Sequence, residues 1–484
     1  MHINFQPISN VLGALMILLG GCMIATSGVS YYYHSTDLNA LLLSGGLSAV
    51  IGVALWFVRF SRSMEIKKRE GYLVVFLGWV FMGLAGALPY YFSGVTPQFV
   101  DAVFESISGY TTTGATIFGD IEALPQGILF WRSMTHWIGG MGIIVLTVAL
   151  FPLLGIGGIE LFVAEAPGPT ADKIHPRIKE TAKRLWFMYF MLTVILSIIL
   201  YFEGMTVFDA INHAFATMAT GGFSTKNLSI AHFNSPAIEY TISLFMFIAG
   251  CNYAMVYYLY KRKYKRVWQD DEFRYYSLFI VITAVILGFW ININVDGEIE
   301  KNFRSGLFML ISLVTTTGFV VDDYTKWSPG LNLFFFLMLF VGGCAGSTSG
   351  SIKFIRHTVF VKNTWLEFKR ILHPRAMIRL KLNGNIVAPR ILTHILVFLL
   401  VYLMIFLIGI MVITFIGLDF ETALGGVATS LGNVGPSIGK LSPVDNFAWV
   451  PTQAKWVFTV LMLMGRLELF TVIIIFTPFF WRSN

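Results

Sequence analysis

The chain has 484 residues; 56% are hydrophobic, only 13% are charged, and the mean hydropathy is +0.71. Soluble domains average about 25% charged residues, so this composition excludes a water-soluble globular fold and points to an all-α polytopic membrane protein. The formal net charge of +7 is informative through where the basic residues lie.

Apolar stretches long enough to cross a ~30 Å hydrocarbon core fall at 10–33, 41–58, 71–93, 137–158, 185–202, 237–260, 276–295, 331–361, 391–417 and 455–480. The first has no basic residue before it and exceeds the core of a cleavable signal, so it reads as a transmembrane helix. Ten crossings put both termini on one side. The connections 59–70, 159–184, 261–275 and 362–390, with the C-terminal tail, hold 24 of the 34 Lys and Arg residues, which makes that side cytoplasmic. Asp101, Asp120, Glu122, Asp209, Asp322, Asp323, Asp419 and others fall outside, where they concentrate cations. Cys22, Cys251 and Cys344 lie in apolar segments and imply no disulfide.

After two leading helices, within residues 1–70, one pattern recurs four times: helix, short half-apolar segment, polar loop, helix. The divisions fall at 71–160, 161–265, 266–362 and 363–484. Each short segment begins at a helix-capping residue type (Asp101, Asp209, Ser305, Thr422), has a phenylalanine just before it (Phe99, Phe208, Phe303, Phe420) and reaches a glycine thirteen positions on. These glycines, Gly114, Gly222, Gly318 and Gly435, are 108, 96 and 117 residues apart. Internal repetition of this kind sets the architecture: four helix–pore-loop–helix units with pseudo-fourfold symmetry about a hole. The segments 102–112, 210–220, 306–316 and 423–433 span only ~16 Å as helices and read as re-entrant half-helices. Their C-terminal ends, each carrying roughly half a negative charge, would converge on one axis and stabilise a cation there.

The loops that follow read Thr111-Thr112-Thr113-Gly114, Ala219-Thr220-Gly221-Gly222, Thr315-Thr316-Thr317-Gly318 and Gly432-Asn433-Val434-Gly435. Glycine permits the backbone dihedrals that turn carbonyls inward and adds no side chain to narrow a lumen. Rings of carbonyls replace the water shell of a dehydrated monovalent cation, and threonine hydroxyls are candidates for a further ring. No carboxylate or basic residue lies in any loop, which argues against calcium and anion pores and favours potassium over sodium.

The second helix of the third unit is interrupted by Gly342-Gly343-Cys344-Ala345-Gly346-Ser347-Thr348-Ser349-Gly350-Ser351. Each glycine costs about 0.5–1 kcal/mol in a helix interior. The run serves either close helix packing or a flexible segment obstructing the pore. The fourth unit carries Gly465-Arg466-Leu467-Glu468 in the matching span. Arg466 there is either a structural tie to Glu468 or backbone, or a positive barrier beneath the filter. Lys353 and Arg356 read as snorkelling residues at the cytoplasmic end of their helix. His136 and His213 read as packed histidines. The 362–390 connection has amphipathic character.

TTTGAT, ATGGFST, TTTGFVVDDY and GNVGPSIG, together with two extra N-terminal helices, resemble the TrkH-type potassium-uptake subunits of the Trk/Ktr/HKT superfamily along nearly the whole chain. The resemblance implies one key filter glycine per unit, an intramembrane gating loop at Gly342, Gly343, Gly346, Ser347, Thr348, Ser349 and Gly350, and Arg466 in the pore below. It implies uptake of K+ across the inner membrane, a homodimer, and a peripheral TrkA-like nucleotide-binding subunit. The chain has neither a G-x-x-x-x-G-K-[ST] loop nor a dinucleotide fingerprint after a strand, so nucleotide control would reside on that other chain. No organic cofactor and no nucleic-acid partner are expected. Two other readings stand beside channel-like conduction. One is a symporter coupling potassium to Na+ or H+. The other is a polytopic membrane enzyme, against which the spans show no HExxH, paired carboxylates or Ser/His/Asp cluster.

Overall fold

The computed structural model describes residues 3–58, 68–142 and 178–482. Most of the expected span 137–158 and much of the basic connections 59–70 and 159–184 lie outside the described residues. Six described helices are long and apolar enough to cross a membrane: Phe5–Tyr32, Leu38–Phe57, Arg69–Phe92, Lys183–Phe202, Asp271–Asn294 and Pro389–Ile416. Two more crossings are sharply broken, Pro236–Ala249 with Tyr253–Tyr260 at 108° and Thr452–Arg466 with Leu469–Ile475 at 113°. A further helix, Gln126–Gly140, leads toward 143–158. The expected span 331–361 is two helices, Pro329–Met338 and Phe354–Leu372, separated by a loop. In units two, three and four the second helix is thus broken near Gly250, across residues 339–353 and near Leu467, whereas the sequence signals this plainly only in the third; in unit one the described helix ends at Gly140.

The two leading helices close on each other through glycines. A β-carbon on Gly13, Gly20, Gly45 or Gly52 would meet atoms of the opposite helix closer than 3.0 Å, an approach that small residues permit between membrane helices. At one face of the bundle the Asn4 amide donates to Glu70 Oε1 (2.7 Å) and the Arg69 guanidinium to the carbonyl of Arg482 (2.8 Å). Both ends of the described chain thus lie on the same side. On that side the 362–390 connection forms a small antiparallel hairpin, Lys381–Leu382 with Asn385–Ile386, turned by Asn383-Gly384 with φ of 48° and 77°. Two positive φ values fit an Asn-Gly type I′ turn, a departure from a purely helical fold.

The four half-helices are Phe99–Tyr110, Val207–Met218, Ile299–Val314 and Phe420–Gly432. They start earlier than expected: the N-caps are Gln98, Thr206, Glu298 and Asp419, not Asp101, Asp209, Ser305 and Thr422. Three of the expected caps are at the third helical position, where an acceptor side chain or amide closes back on the true cap. The Asp209 amide donates to Thr206 Oγ1 (3.1 Å), and the Thr422 amide to Asp419 Oδ2 (3.2 Å). Ser305 lies deeper still and is buried.

Candidate functional site

Each half-helix ends in the same way. The amide of the residue before the marker glycine donates to the carbonyl six positions before that glycine: Thr113 to Ser108, Gly221 to Ala216, Thr317 to Ser312 and Val434 to Thr429, at 2.8–3.1 Å. These bonds satisfy carbonyls that a helix C-terminus leaves free. Beyond them the backbone repeats one conformation. The residue two before the glycine is left-handed in all four loops (Thr112, Thr220, Thr316 and Asn433, φ 53–55°). The glycines have φ of 81°, 79°, 78° and 98°. A left-handed threonine costs roughly 1–2 kcal/mol, so three of them in register with a left-handed asparagine mark a geometry held by its surroundings.

The glycines face one another's loops in strict rotation. A β-carbon on Gly114 would lie closer than 3.0 Å to the carbonyl oxygen of Gly221, one on Gly222 to that of Thr317, one on Gly318 to that of Val434, and one on Gly435 to that of Thr113. The sequence of contacts runs from the first loop to the fourth and back to the first, so the four loops close a ring around one axis. No side chain larger than hydrogen fits at any of the four glycines.

Most of the threonine hydroxyls are committed to this scaffold, whereas Thr112 Oγ1 is buried without a partner. Thr111 and Thr315 donate to Ile107 and Ile311 carbonyls (2.6 and 2.7 Å) and pair with Thr113 and Thr317 at 2.8 Å. In the fourth loop, which lacks threonine, Asn433 reaches across to Thr113 Oγ1 (3.0 Å) and to the Met462 carbonyl (2.9 Å). Its amide serves as a brace between the fourth loop and the first.

Behind the ring sits a buried ion pair absent from the sequence-based reading. Glu105, on the first half-helix, accepts from Arg132 Nε (2.8 Å), from the Ile117 amide (2.9 Å) and from Thr116 Oγ1 (3.0 Å). Arg132 also donates to the Ser224 carbonyl (3.2 Å) and lies 4.1 Å above the Phe223 ring. It thereby fastens the first loop to the second. The signal available in sequence was two opposite charges in apolar surroundings, which must pair. Arg304 of the third half-helix pairs with Glu239 of the second unit (2.8 Å), and Lys455 of the fourth unit pairs with Asp101 of the first half-helix (2.6 Å), as comparable ties between units. His213 is packed, with Nδ1 at the Asp209 carbonyl (2.8 Å) and Nε2 at Ser224 Oγ (2.9 Å). At the outer mouth Asn227 Nδ2 donates to Asp120 (2.9 Å) and holds its carboxyl below the usual carboxylate range.

On the other side of the ring lies the loop of residues 342–351. Its ends are tied by a Val341–Ile352 bridge, with the Gly342 amide donating to the Ile352 carbonyl (2.9 Å). The loop reaches the second, third and fourth units. Gly350 N donates to Thr316 Oγ1 of the third filter segment (2.6 Å), and Gly350 packs on the carbonyl of Gly432 in the fourth. Thr348 Oγ1 donates to the Met218 carbonyl at the end of the second half-helix (3.1 Å). Cys344 N donates to the Gly250 carbonyl at the second unit's helix break (2.8 Å). Gly343 N donates to Ser349 Oγ (3.0 Å), and Ser347 pairs with Ser349 at 2.7 Å. The Gly346 carbonyl accepts from Tyr253 N (3.2 Å). Arg466 ties the loop to the first unit: Nη1 donates to the Thr348 carbonyl (2.6 Å), Nη2 to the carbonyls of Gly139 (2.6 Å) and Gly140 (2.9 Å). Lys353 and Arg356 do not snorkel. The Lys353 amine turns back onto the Ser349 carbonyl, and Arg356 binds Glu468 (2.6 Å) and stacks on Phe398 at 3.8 Å. Loop carbonyls receive the amine and a carboxylate receives the guanidinium, so neither side chain needs to reach water.

These features define a class: helical membrane proteins whose four pore loops surround a single axis, with a polar loop packed beneath. The chain belongs to the TrkH family of cation transport proteins, whose model matches residues 39–483. It is 41% identical to the Trk system potassium uptake protein TrkH of Escherichia coli K12, over 99% of this chain and all of that one. The TrkH of Halomonas elongata is 37% identical over the same shares. The crystal structure of the potassium transporter TrkH from Vibrio parahaemolyticus superposes with a TM-score of 0.89 at 35% identity, covering 99% of this chain and all of that one.

Proposed function

We propose that this protein takes up potassium across the bacterial inner membrane by channel-like conduction, and is not an enzyme. The observation that carries the reading is the closed rotation of glycine against carbonyl through all four loops. Thr111–Gly114, Ala219–Gly222, Thr315–Gly318 and Gly432–Gly435 form the filter. Its main-chain oxygens replace the hydration shell of K+, the half-helix C-termini add partial negative charge, and the paired hydroxyls of Thr111, Thr113, Thr315 and Thr317 brace the walls instead of binding the ion. The chain's divisions at 70, 160, 265 and 362 follow the pseudo-fourfold units around this axis.

The gate in this reading is the 342–351 loop together with Arg466. The loop's hydrogen bonds to Thr316, Met218 and Gly250 hold it under the filter, and the guanidinium adds a positive barrier. Opening requires both to leave the axis. Both termini are cytoplasmic, by the distribution of basic residues. A homodimer and a TrkA-like nucleotide-binding subunit on the cytoplasmic face supply assembly and control. Relatives named as parts of a Trk system support the latter. Uptake is driven by membrane potential, worth ~2.3 kcal/mol per charge per 100 mV.

The test is 86Rb+ uptake into liposomes holding the purified protein, at a clamped potential. Uptake that follows voltage and ignores imposed H+ or Na+ gradients is expected. Uptake that follows either gradient at fixed voltage would establish a symporter, and none at any voltage would refute transport by this chain.

A further inference from the structure

In three of the four loops the position before the marker glycine carries a side chain: Thr113, Thr317 and Val434. In the second it is Gly221. Backbone conformation does not require glycine there, because Gly221 is not among the residues with positive φ. Space does. A β-carbon on Gly221 would fall closer than 3.0 Å to Nδ1, Cγ and Cε1 of His136. That ring is fully buried and stacks on Phe223, with centroids 4.0 Å apart and planes within 12°.

His136 belongs to the helix of the first unit, yet it occupies the wall behind the second loop. In loops one and three that wall is built by hydroxyl pairs, Thr111 with Thr113 and Thr315 with Thr317. The second loop has Ala219 and Gly221 at those positions and can form no such pair. The neighbouring quadrant shows the alternative solution. Gly140 packs on Ala219 at the start of the second filter segment, as Gly250 packs on Thr315 at the start of the third. Four residues before Gly140 is His136; four before Gly250 is Met246. The helix position that carries an imidazole beside the loop with Gly221 thus carries an unbranched thioether in the helix beside the loop with Thr317.

We infer that His136 is a selectivity-determining positioning residue, an inter-unit wedge that replaces the missing side-chain pair of the second loop and fixes the Gly221 carbonyl in the ring. It does not touch the ion; it acts through Gly221. This rests on the potassium reading above and adds a residue to it.

The test is a pairwise cycle in liposomes, with the Rb+/Na+ permeability ratio read from reversal potentials. His136→Ala frees the wall and lowers the ratio by roughly tenfold, about 1.4 kcal/mol of discrimination. Gly221→Thr alone drives a side chain into the imidazole and abolishes selective flux or folded yield. The pair His136→Ala/Gly221→Thr, with Ala219→Thr to restore the hydroxyl couple, recovers the ratio or the yield relative to either single change. Recovery supports the wedge. Independent effects, a combined variant as impaired as its parents, or wild-type selectivity in His136→Ala or Gly221→Thr would overturn it. A wild-type protein without Rb+ flux would instead refute the transport reading, so the two failures are distinct.

Discussion

Replacing Arg466 by alanine tests the plug most sharply. The guanidinium makes three short hydrogen bonds, to the carbonyls of Thr348, Gly139 and Gly140. Hydrogen bonds to charged groups contribute about 1.5–3 kcal/mol each, and removing them loosens the loop's seat. The charge adds a second effect. A monovalent cation passing ~6 Å from it at an effective dielectric of 20 is repelled by about 3 kcal/mol. At 1.4 kcal/mol per decade that barrier alone is worth roughly a hundredfold in rate. Arg466→Ala should therefore raise 86Rb+ flux by one to two decades at equal protein content in the liposomes, while Arg466→Lys, which keeps charge but not the planar fork, falls between. Unchanged or lower flux in correctly folded Arg466→Ala would refute the assignment of this residue to the barrier.

Gly318→Ser puts a β-carbon against the Val434 carbonyl and Pro436 in a left-handed conformation; Rb+ flux should drop at least tenfold, about 1.4 kcal/mol or more, with the rate measured against an unselective ionophore control. Glu105→Ala strands the buried Arg132 charge, and one-sided removal of such a pair costs about 3–5 kcal/mol; the detergent-solubilised protein should unfold at a clearly lower temperature, and an unchanged melting curve would count against the pair. Gly343→Ala presses on the Gly250 carbonyl (2.6 Å) and Ser349 Oγ (2.8 Å), so the loop should seat poorly and basal flux should rise in the same assay. Asn383→Ala removes the hairpin's side-chain bonds to Asp270 and Asp271 (3.0 and 2.6 Å); amide exchange should quicken over 381–386 while flux stays unchanged.

The fourfold plan was legible because it is written in residues that only backbone geometry explains. Gly114, Gly222, Gly318 and Gly435 recur where a left-handed turn and a neighbour's carbonyl leave no room for a β-carbon. The break in the third unit's second helix was legible for a related reason: four glycines and several hydroxyls cannot propagate a helix in an apolar span. Three half-helix starts were misplaced because the true cap has a polar partner three residues on: Gln98 with Asp101, Thr206 with Asp209, and Asp419 with Thr422 each offer two capping candidates. The sharp bends near Gly250 and Leu467 were not legible. They depend on contacts distant in sequence: Cys344 on the Gly250 carbonyl, and Arg356 on Glu468, whose φ of 58° no local sequence requires. The hairpin had its signal in Asn383-Gly384, short though its strands are. The inward turn of Lys353 was hidden because an amine at a helix end looks like a snorkelling group until carbonyls are found to receive it.

The central claim is that one main-chain oxygen from each quarter of the molecule holds a bare potassium ion. Anomalous diffraction from crystals grown in Rb+ tests it directly. The account predicts a peak on the pseudo-fourfold axis, equidistant from the carbonyls of Thr113, Gly221, Thr317 and Val434. Rb+ bound away from those four oxygens, or Na+ displacing it from them at equal concentration, would contradict it.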